Sequence, residues 1–395
     1  MSAAIEIRQS DLFARIVELT PLIQEHALEA ERMRRLSPTV AEAFRSAGFY
    51  RLFRPQALGG LELDPVTAYR LIEELARIDS AAGWNVAISN SIEVWGAWFS
   101  EQAAREIFGA ADAAMAGGWN PPRRAVAVEG GYRVSGRTTF NSNCHNATWF
   151  TGLAQVFDDD APRVDDAGLP VTLVTFVPAR EGRIIENWET LGLGGTGSHD
   201  IELDDVFVPS ERAVPLAPLE SPNKAYAGPL YRMAVFASTG CNGVSALGIA
   251  QAAIDDLVTL GRKVPSYTTR SLRDRSVVQL QLARAEGKLS AARAFFHATY
   301  DEAWKIALSG RSLEMAERAR CQLASSHAVL AAAEAVDLVH AAVGATGIRN
   351  EHRFQKHFRD AHVVTQHAFV SATRLEAVGQ IMLGLEPDWS FFAFS

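Results

Sequence analysis

From about Asp11 to Arg34, apolar residues recur at spacings of three and four, at Leu12, Ile16, Leu19 and Ile23, which predicts an amphipathic helix. Ser37 as cap, Pro38 in the first turn and Gly48 as a stop predict a second helix. Asp64-Pro65 opens a third that runs to Asp79, with Tyr69, Leu71, Ile72, Leu75 and Ile78 on its buried side. Between Ala81 and Phe99 the residues Trp84, Ile88, Ile92, Trp95 and Phe99 keep helical spacing, while Asn85, Ser89 and Asn90 interrupt it with small polar groups. The period then drops to two from about Ala113 to Val214. Strands are expected over Val126–Val134, Phe140–Val156, Pro170–Pro178, Arg183–Trp188 and Ile201–Val208, as a small antiparallel barrel or sandwich. After Tyr226 the pattern returns to helices over Leu230–Leu260, Asp274–Leu308, Leu313–Val343 and Glu351–Leu383, which predicts an antiparallel four-helix bundle. The fold class is therefore α+β, mostly α, divided as 1–112 helical, 113–215 β and 216–395 bundle.

Composition changes this picture only by exclusion. The 395 residues are 48% hydrophobic and 21% charged, with a net charge of −8 and no Lys/Arg run, so neither nucleic acid nor an anionic membrane finds a basic face. No apolar run of about 18 residues and no signal pattern is read, so a cytoplasmic protein is expected. Cys144, Cys241 and Cys321 form no CxxC pair, which argues against a disulfide framework or a zinc site. The acidic stretch Asp158 to Asp166 reads as a solvated hairpin loop, and no metal is expected. A small molecule remains the natural partner.

The run Phe140-Asn-Ser-Asn-Cys-His-Asn-Ala-Thr-Trp149 is unusual for a strand. Each buried polar group needs a partner or costs about 1 to 3 kcal/mol, so something polar is expected to lie against it. With the preceding Gly-Arg-Thr-Thr, the run resembles the flavin-facing strand of the acyl-CoA dehydrogenase superfamily. The resemblance implies that the Ser142 hydroxyl bonds flavin N5, with Asn141 also among the cofactor contacts. Ala116-Gly-Gly-Trp-Asn-Pro-Pro stands where that family carries Thr-Glu-Pro and Gly-Ser-Asp, leaving Trp119 and Asn120 to face the flavin pyrimidine while Arg123-Arg124-Ala125 replaces the Gly-Ser-Asp. Leu191-Gly-Leu-Gly-Gly-Thr-Gly-Ser resembles the Gly-Leu-Arg-Gly-Thr-Gly-Ser of the flavin-dependent hydroxylase branch, with Gly194 in place of the Arg. Its glycines would let backbone approach a planar ring, and Thr196 and Ser198 would hydrogen-bond the flavin.

The segment Phe358-Arg-Asp-Ala-His-Val-Val-Thr-Gln-His-Ala-Phe is similar to the family's Arg-Asp-Ala segment that leads to a catalytic Glu, and Ala368 occupies the matched position. A methyl group removes no proton, so acyl-CoA dehydrogenation is disfavoured. His367 agrees with the hydroxylase branch, where a His here faces substrate. His145, displaced by one from that branch's usual His, and Asn90 and Trp84 in the first domain are the other substrate candidates. The resemblance thus implies the oxygenase component of a two-component flavin-dependent monooxygenase. It would take reduced FAD or FMN from a separate flavin reductase, react with O2 through a C4a-hydroperoxyflavin, and hydroxylate a small aromatic substrate of phenol or indole type, as a homotetramer. The rival readings are an acyl-CoA dehydrogenase with a relocated base and a non-catalytic scaffold of the same fold.

Overall fold

The first helix, α1 (Gln9–Met33), lays Leu12, Ile16 and Ile23 into the core, as three-and-four spacing requires. The computed structural model describes residues 9–166, 168–216, 222–233, 235–266 and 268–393. Helix α2 (Pro38–Ala47) ends at Gly48, whose φ of 88° is the left-handed closure that glycine adopts freely. Ser37 precedes it but its hydroxyl makes no capping bond; only its carbonyl is used, accepting from Ala41 N. Aspartates cap the next two helices. Asp64 accepts from Thr67 N at 2.9 Å to start α3 (Pro65–Ile78), and Asp79 accepts from Ala82 N at 2.9 Å to start α4 (Ser80–Glu93). A short α5 (Glu101–Phe108) leads into the sheet.

The sheet has eight strands: β1 (Met115–Val128), β2 (Gly131–Thr138), β3 (Trp149–Asp158), β4 (Ala161–Pro162), β5 (Thr172–Pro178), β6 (Arg183–Ile185), β7 (Asp200–Pro209) and β8 (Ala213–Pro215). Their order is β6-β7-β2-β1-β3-β5-β8, with β4 on β3. An all-antiparallel sheet is not what forms. β1 and β3 run parallel, Met115 opposite Trp149, because the chain leaves β2, crosses β1 and returns on its other side. Two expected strands are also corrected. Val126–Val134 contains a hairpin, with Val128 paired to Gly131 across Gly130 at φ 77°. Phe140–Val156 begins as a turn: Phe140 and Asn143 have φ of 62° and 67°, and pairing starts at Trp149. Asparagine tolerates the left-handed region that most side chains avoid, so the polar run folds the chain back instead of extending it.

The remaining helices are α6 (Pro229–Arg232), α7 (Phe236–Leu260), α8 (Ser276–Leu308), α9 (Met315–Val343), α10 (Phe354–Val364) and α11 (Arg374–Met382). The expected continuous helices Leu230–Leu260 and Glu351–Leu383 are each broken. At the end of α10, Gln366 N and His367 N bond back three residues, to Val363 O and Val364 O, which tightens and ends the helix. Contrary to the sequence expectation, α7 and the stretch 315–348 are long and apolar enough to cross a membrane. Both are core helices here, with 67% and 56% of their most apolar windows buried inside the protein. One apolar core joins the helices before and after the sheet, while a smaller cluster including Ala125, Val134, Phe150 and Ile201 stays within the sheet region. Between sheet and helices lies a cavity.

Candidate active site

The cavity encloses about 520 Å³, within the range of small-ligand sites. The sheet side contributes Gly117 to Asn120 from β1, the turn residues Thr139, Phe140 and Ser142, and the loop residues Trp188, Leu193 and Ser198. The helical side contributes Trp84 and Ile88 of α4, Ser238, Thr239 and Asn242 of α7, and the segment around His367, Ala368 and Phe369. Four tryptophans and three phenylalanines are among the residues of the wall. Trp119 packs on Trp95 and Phe369, with ring centroids 5.7 and 5.9 Å away, which suits a flat apolar ligand.

A chain of hydroxyls closes the sheet side. Thr196 Oγ1 donates to Leu193 O at 2.8 Å, Ser198 Oγ lies 2.7 Å from Thr196 Oγ1, and Ser142 Oγ lies 2.7 Å from Ser198 Oγ. Each hydroxyl has one proton. With the Thr196 proton on the carbonyl, Ser198 must donate to Thr196 and Ser142 must donate to Ser198. Ser142 Oγ also accepts from Trp84 Nε1 at 3.1 Å. Its proton is therefore directed into the protein, and what it offers the cavity is an acceptor lone pair.

This direction is set at Leu193, which has φ 53°. Its carbonyl accepts from Thr196 and from Trp188 Nε1 at 3.0 Å, and its N–H donates to Asp360 Oδ1 at 2.6 Å. Asp360 is buried on α10, receives Lys356 Nζ at 2.7 Å and bonds Ser80. Burial raises its carboxyl pKa, but Lys356 and these hydrogen bonds outweigh burial and hold it below the ordinary value. The adjacent Arg359 donates to Leu191 O and pairs with Glu31 of α1. The glycines of this loop serve close packing: a Cβ on Gly192 would meet Arg359 C and O at 2.5 Å, and one on Gly195 would meet Ala30 and Ala81 Cβ at 3.1 Å. A Cβ on Gly194 would meet Arg34 Nη1 at 2.9 Å, so a guanidinium from the residue just after α1 lies beside the position of the absent Arg. His199 pins the same loop, its Nδ1 accepting from Asn187 N and Trp188 N at 2.9 and 3.0 Å while Nε2 faces Arg34 O at 3.0 Å.

His367 follows the end of α10 and lines the cavity beside Ala368. Its ring lies edge-on to Trp84 at 5.3 Å and 5.7 Å from Phe369. Desolvation by these apolar neighbours lowers its pKa to about 4, so the imidazole is neutral near pH 7. Nδ1 accepts a long bond from Phe369 N at 3.4 Å, which puts the ring proton on Nε2.

Family models for the N-terminal and C-terminal domains of acyl-CoA dehydrogenase match residues 17–106 and 241–372. The indole-3-acetate monooxygenase of Pseudomonas putida is 34% identical over 91% of this chain and 90% of its own. The chain belongs to the acyl-CoA dehydrogenase superfamily. Within it, the chain groups with flavin-dependent monooxygenases. The oxygenase subunit HsaA of a Rhodococcus jostii flavin-dependent monooxygenase is 28% identical over 90% of this chain and 93% of its own. Among solved structures, XiaF from Streptomyces in complex with FADH2 and glycerol superposes with a TM-score of 0.88 at 25% identity, covering 96% of this chain and 97% of its own.

Against the superfamily motifs, the cavity brings together Trp84, Trp119, Asn120, Ser142, Ser198 and His367. Asn141 and Thr196 lie behind the wall: Asn141 Nδ2 donates to Thr138 O and His199 O, and Thr196 orients Ser198. Asn90 does not reach the cavity. Its amide bonds Leu52 N, Phe49 O and Val86 O at 2.7 to 2.8 Å, stapling the connection after α2 to α4. His145 is outside the wall too, with Nε2 3.2 Å from Glu186, an exposed carboxylate. Sequence reasoning passed over Trp188, Leu193 and Asn242. Only the Trp188 aromatic carried a local signal; Leu193 stands within the glycine-rich motif but is given no role by it, and Asn242 sits in a helix that reads as plain core.

Proposed function

We propose that the chain is the oxygenase component of a two-component monooxygenase that uses reduced flavin and O2 to hydroxylate a small phenol- or indole-type aromatic. The single observation that carries this reading is Ser142, whose Oγ offers the cavity an acceptor while Ala368 lines the same cavity without a base. Reduced flavin carries N5–H, a donor, so an acceptor-only hydroxyl suits it better than the oxidised ring, whose N5 is itself an acceptor. The residues present fit such a ring: as the resemblance implies, Ser142 would bond N5 and Trp119 and Asn120 would lie along the pyrimidine, with Trp84, Trp95 and Phe369 also lining the cavity. When bound, the reduced flavin supplies the electrons that activate O2. Trp84 and the apolar walls exclude water. His367, neutral with its proton on Nε2, holds a hydrogen bond on the substrate oxygen or delivers a proton during oxygen transfer.

Support for the flavin comes from the FADH2 in the XiaF complex, and the name of HsaA as an oxygenase subunit supports a separate flavin reductase as the donor. The choice between FAD and FMN, a homotetrameric assembly and the division at 1–112, 113–215 and 216–395 belong to the same proposal. Relocated-base dehydrogenation is disfavoured because the described cavity-lining residues include one carboxylate, Glu189, and it is exposed at the rim. The test is incubation with FADH2 or FMNH2, labelled O2 and an indole or phenol. Label in the aromatic product is expected. Label only in hydrogen peroxide, across both flavins and both substrate types, overturns the reading.

A further inference from the structure

Resting on the proposed hydroxylation but going beyond it to the substrate class, we infer that Asn242 is a specificity-determining residue for an uncharged aromatic whose side chain carries a carbonyl acceptor. Ser238 and Thr239 lie three and four residues after Val235, the residue that caps α7, and four and three before Asn242, so the four share one face at the start of the helix, and all line the cavity. Ser238 Oγ donates to Ser91 O at 2.9 Å. Thr239 Oγ1 bonds Phe236 O at 3.0 Å and Tyr300 Oη at 3.1 Å. Those hydroxyls are satisfied by the protein. Asn242 is different: it is 3% exposed, and its Nδ2 has no hydrogen-bond partner among the described residues. Buried donors are almost always paired; Asn242 lines the cavity while its unpaired Nδ2 is covered, so a turn of the amide is what brings this donor onto a ligand acceptor.

Charge narrows the ligand. The described residues lining the cavity include no Lys or Arg, and His367 is neutral there. The charged side chain among them is the Glu189 carboxylate. A substrate carboxylate entering this cavity would lose its hydration without gaining a cation, and Glu189 would repel it. A neutral amide, ketone or aldehyde meets neither cost. It accepts from Asn242 Nδ2 while the ring hydroxyl of a phenol accepts from His367 Nε2. The chain is thereby set apart from its Pseudomonas putida relative, which is named for indole-3-acetate, an anion at neutral pH.

The test uses the full chain under anaerobic conditions, with FADH2 and again with FMNH2, and calorimetric titration of three 4-hydroxyphenyl compounds: the acetamide, the acetate and the propyl analogue. The matching indole series is run in parallel. In at least one series the wild type should bind the acetamide ten times or more tighter than the acetate. Asn242→Leu should lower acetamide affinity relative to the propyl analogue by about tenfold, the size expected for one buried hydrogen bond. Asn242→Ala gives the same comparison if the leucine variant does not fold. An acetate preference in both series, an unchanged acetamide-to-propyl ratio in the variant, or no binding by any of the compounds overturns the inference. Aerobic product analysis separates this from the parent reading. The affinity pattern without any hydroxylated product would remove the monooxygenase proposal and leave the ligand class standing.

Discussion

The two sides of the cavity handle polarity in opposite ways. On the sheet side, Ser142, Ser198 and Thr196 pass their protons in one direction and end on a carbonyl. On the helical side, Asn242 Nδ2 has no partner among the described residues, and His367 holds a single long bond from a backbone N–H. A closed network is rigid and presents a fixed hydrogen-bonding character, whereas an open group is completed by what enters. The difference assigns tasks: the closed side suits a cofactor that is the same in every turnover, and the open side suits the molecule that must be selected.

The closed side breaks most severely at its anchor. Asp360→Ala leaves Lys356 buried with Asp79, 3.2 Å away, as its remaining carboxylate contact, and the loss should destabilise the protein by about 3 to 5 kcal/mol. Urea denaturation would measure it; a change under about 1 kcal/mol would show that Leu193 is held by other means. On the open side, His367→Ala should lower hydroxylated product about a hundredfold while the binding of reduced flavin stays within about threefold. Loss of both together would make His367 structural.

His367 also predicts a pH signature. Its folded pKa of about 4 lies below the unfolded value of about 6.5. As pH falls from about 6.5 towards 4, the unfolded chain takes up this proton first, so stability drops across that window. Above it the contribution is constant. Melting curves of wild type and His367→Ala should converge on acidification, and parallel curves would contradict the assignment.

Smaller effects sharpen the contrast. Ser142→Ala should raise peroxide released per product about threefold to tenfold, since it removes one hydrogen bond of about 0.5 to 1.5 kcal/mol. An unchanged peroxide-to-product ratio would separate Ser142 from the flavin. Ser198→Ala frees the Ser142 proton, so the preference for reduced over oxidised flavin should fall by about threefold in equilibrium binding. A preference that does not move would mean that proton direction plays no part in flavin choice.

Much of this molecule could be read before its coordinates. The helix start at Asp64 and the two glycine-rich segments follow from side-chain chemistry and the chain's own short-range geometry, and the resemblance located Ser142 and His367, whereas Asp79 reads in the sequence as the end of one helix and not as the cap of the next. What escaped was long-range. The run Phe140 to Asn146 promised polar partners, but nothing local distinguishes a partner in the backbone from one in a cavity, and Asn141 and Asn90 are both taken up by backbone groups. Period-two alternation continued on paper through residues that adopt positive φ, so a turn was read as strand. Asn242 was invisible because its meaning is the lack of a neighbour, which only a packed structure can display. The parallel pairing of β1 with β3 likewise depends on which edge the returning chain meets.

The contact between Leu193 and Asp360 joins residues 167 apart, and that between Ser80 and Asp360 joins residues 280 apart. A polypeptide emerging from the ribosome makes neither until α10 has been synthesised and has docked on α4 and the glycine loop. Until then Leu193 lacks its tether and the hydroxyl chain lacks its fixed end. An interrupted or clipped chain that keeps every strand of the sheet would still be without the assembled pocket, so the ability to hold reduced flavin would report that translation reached its final helices.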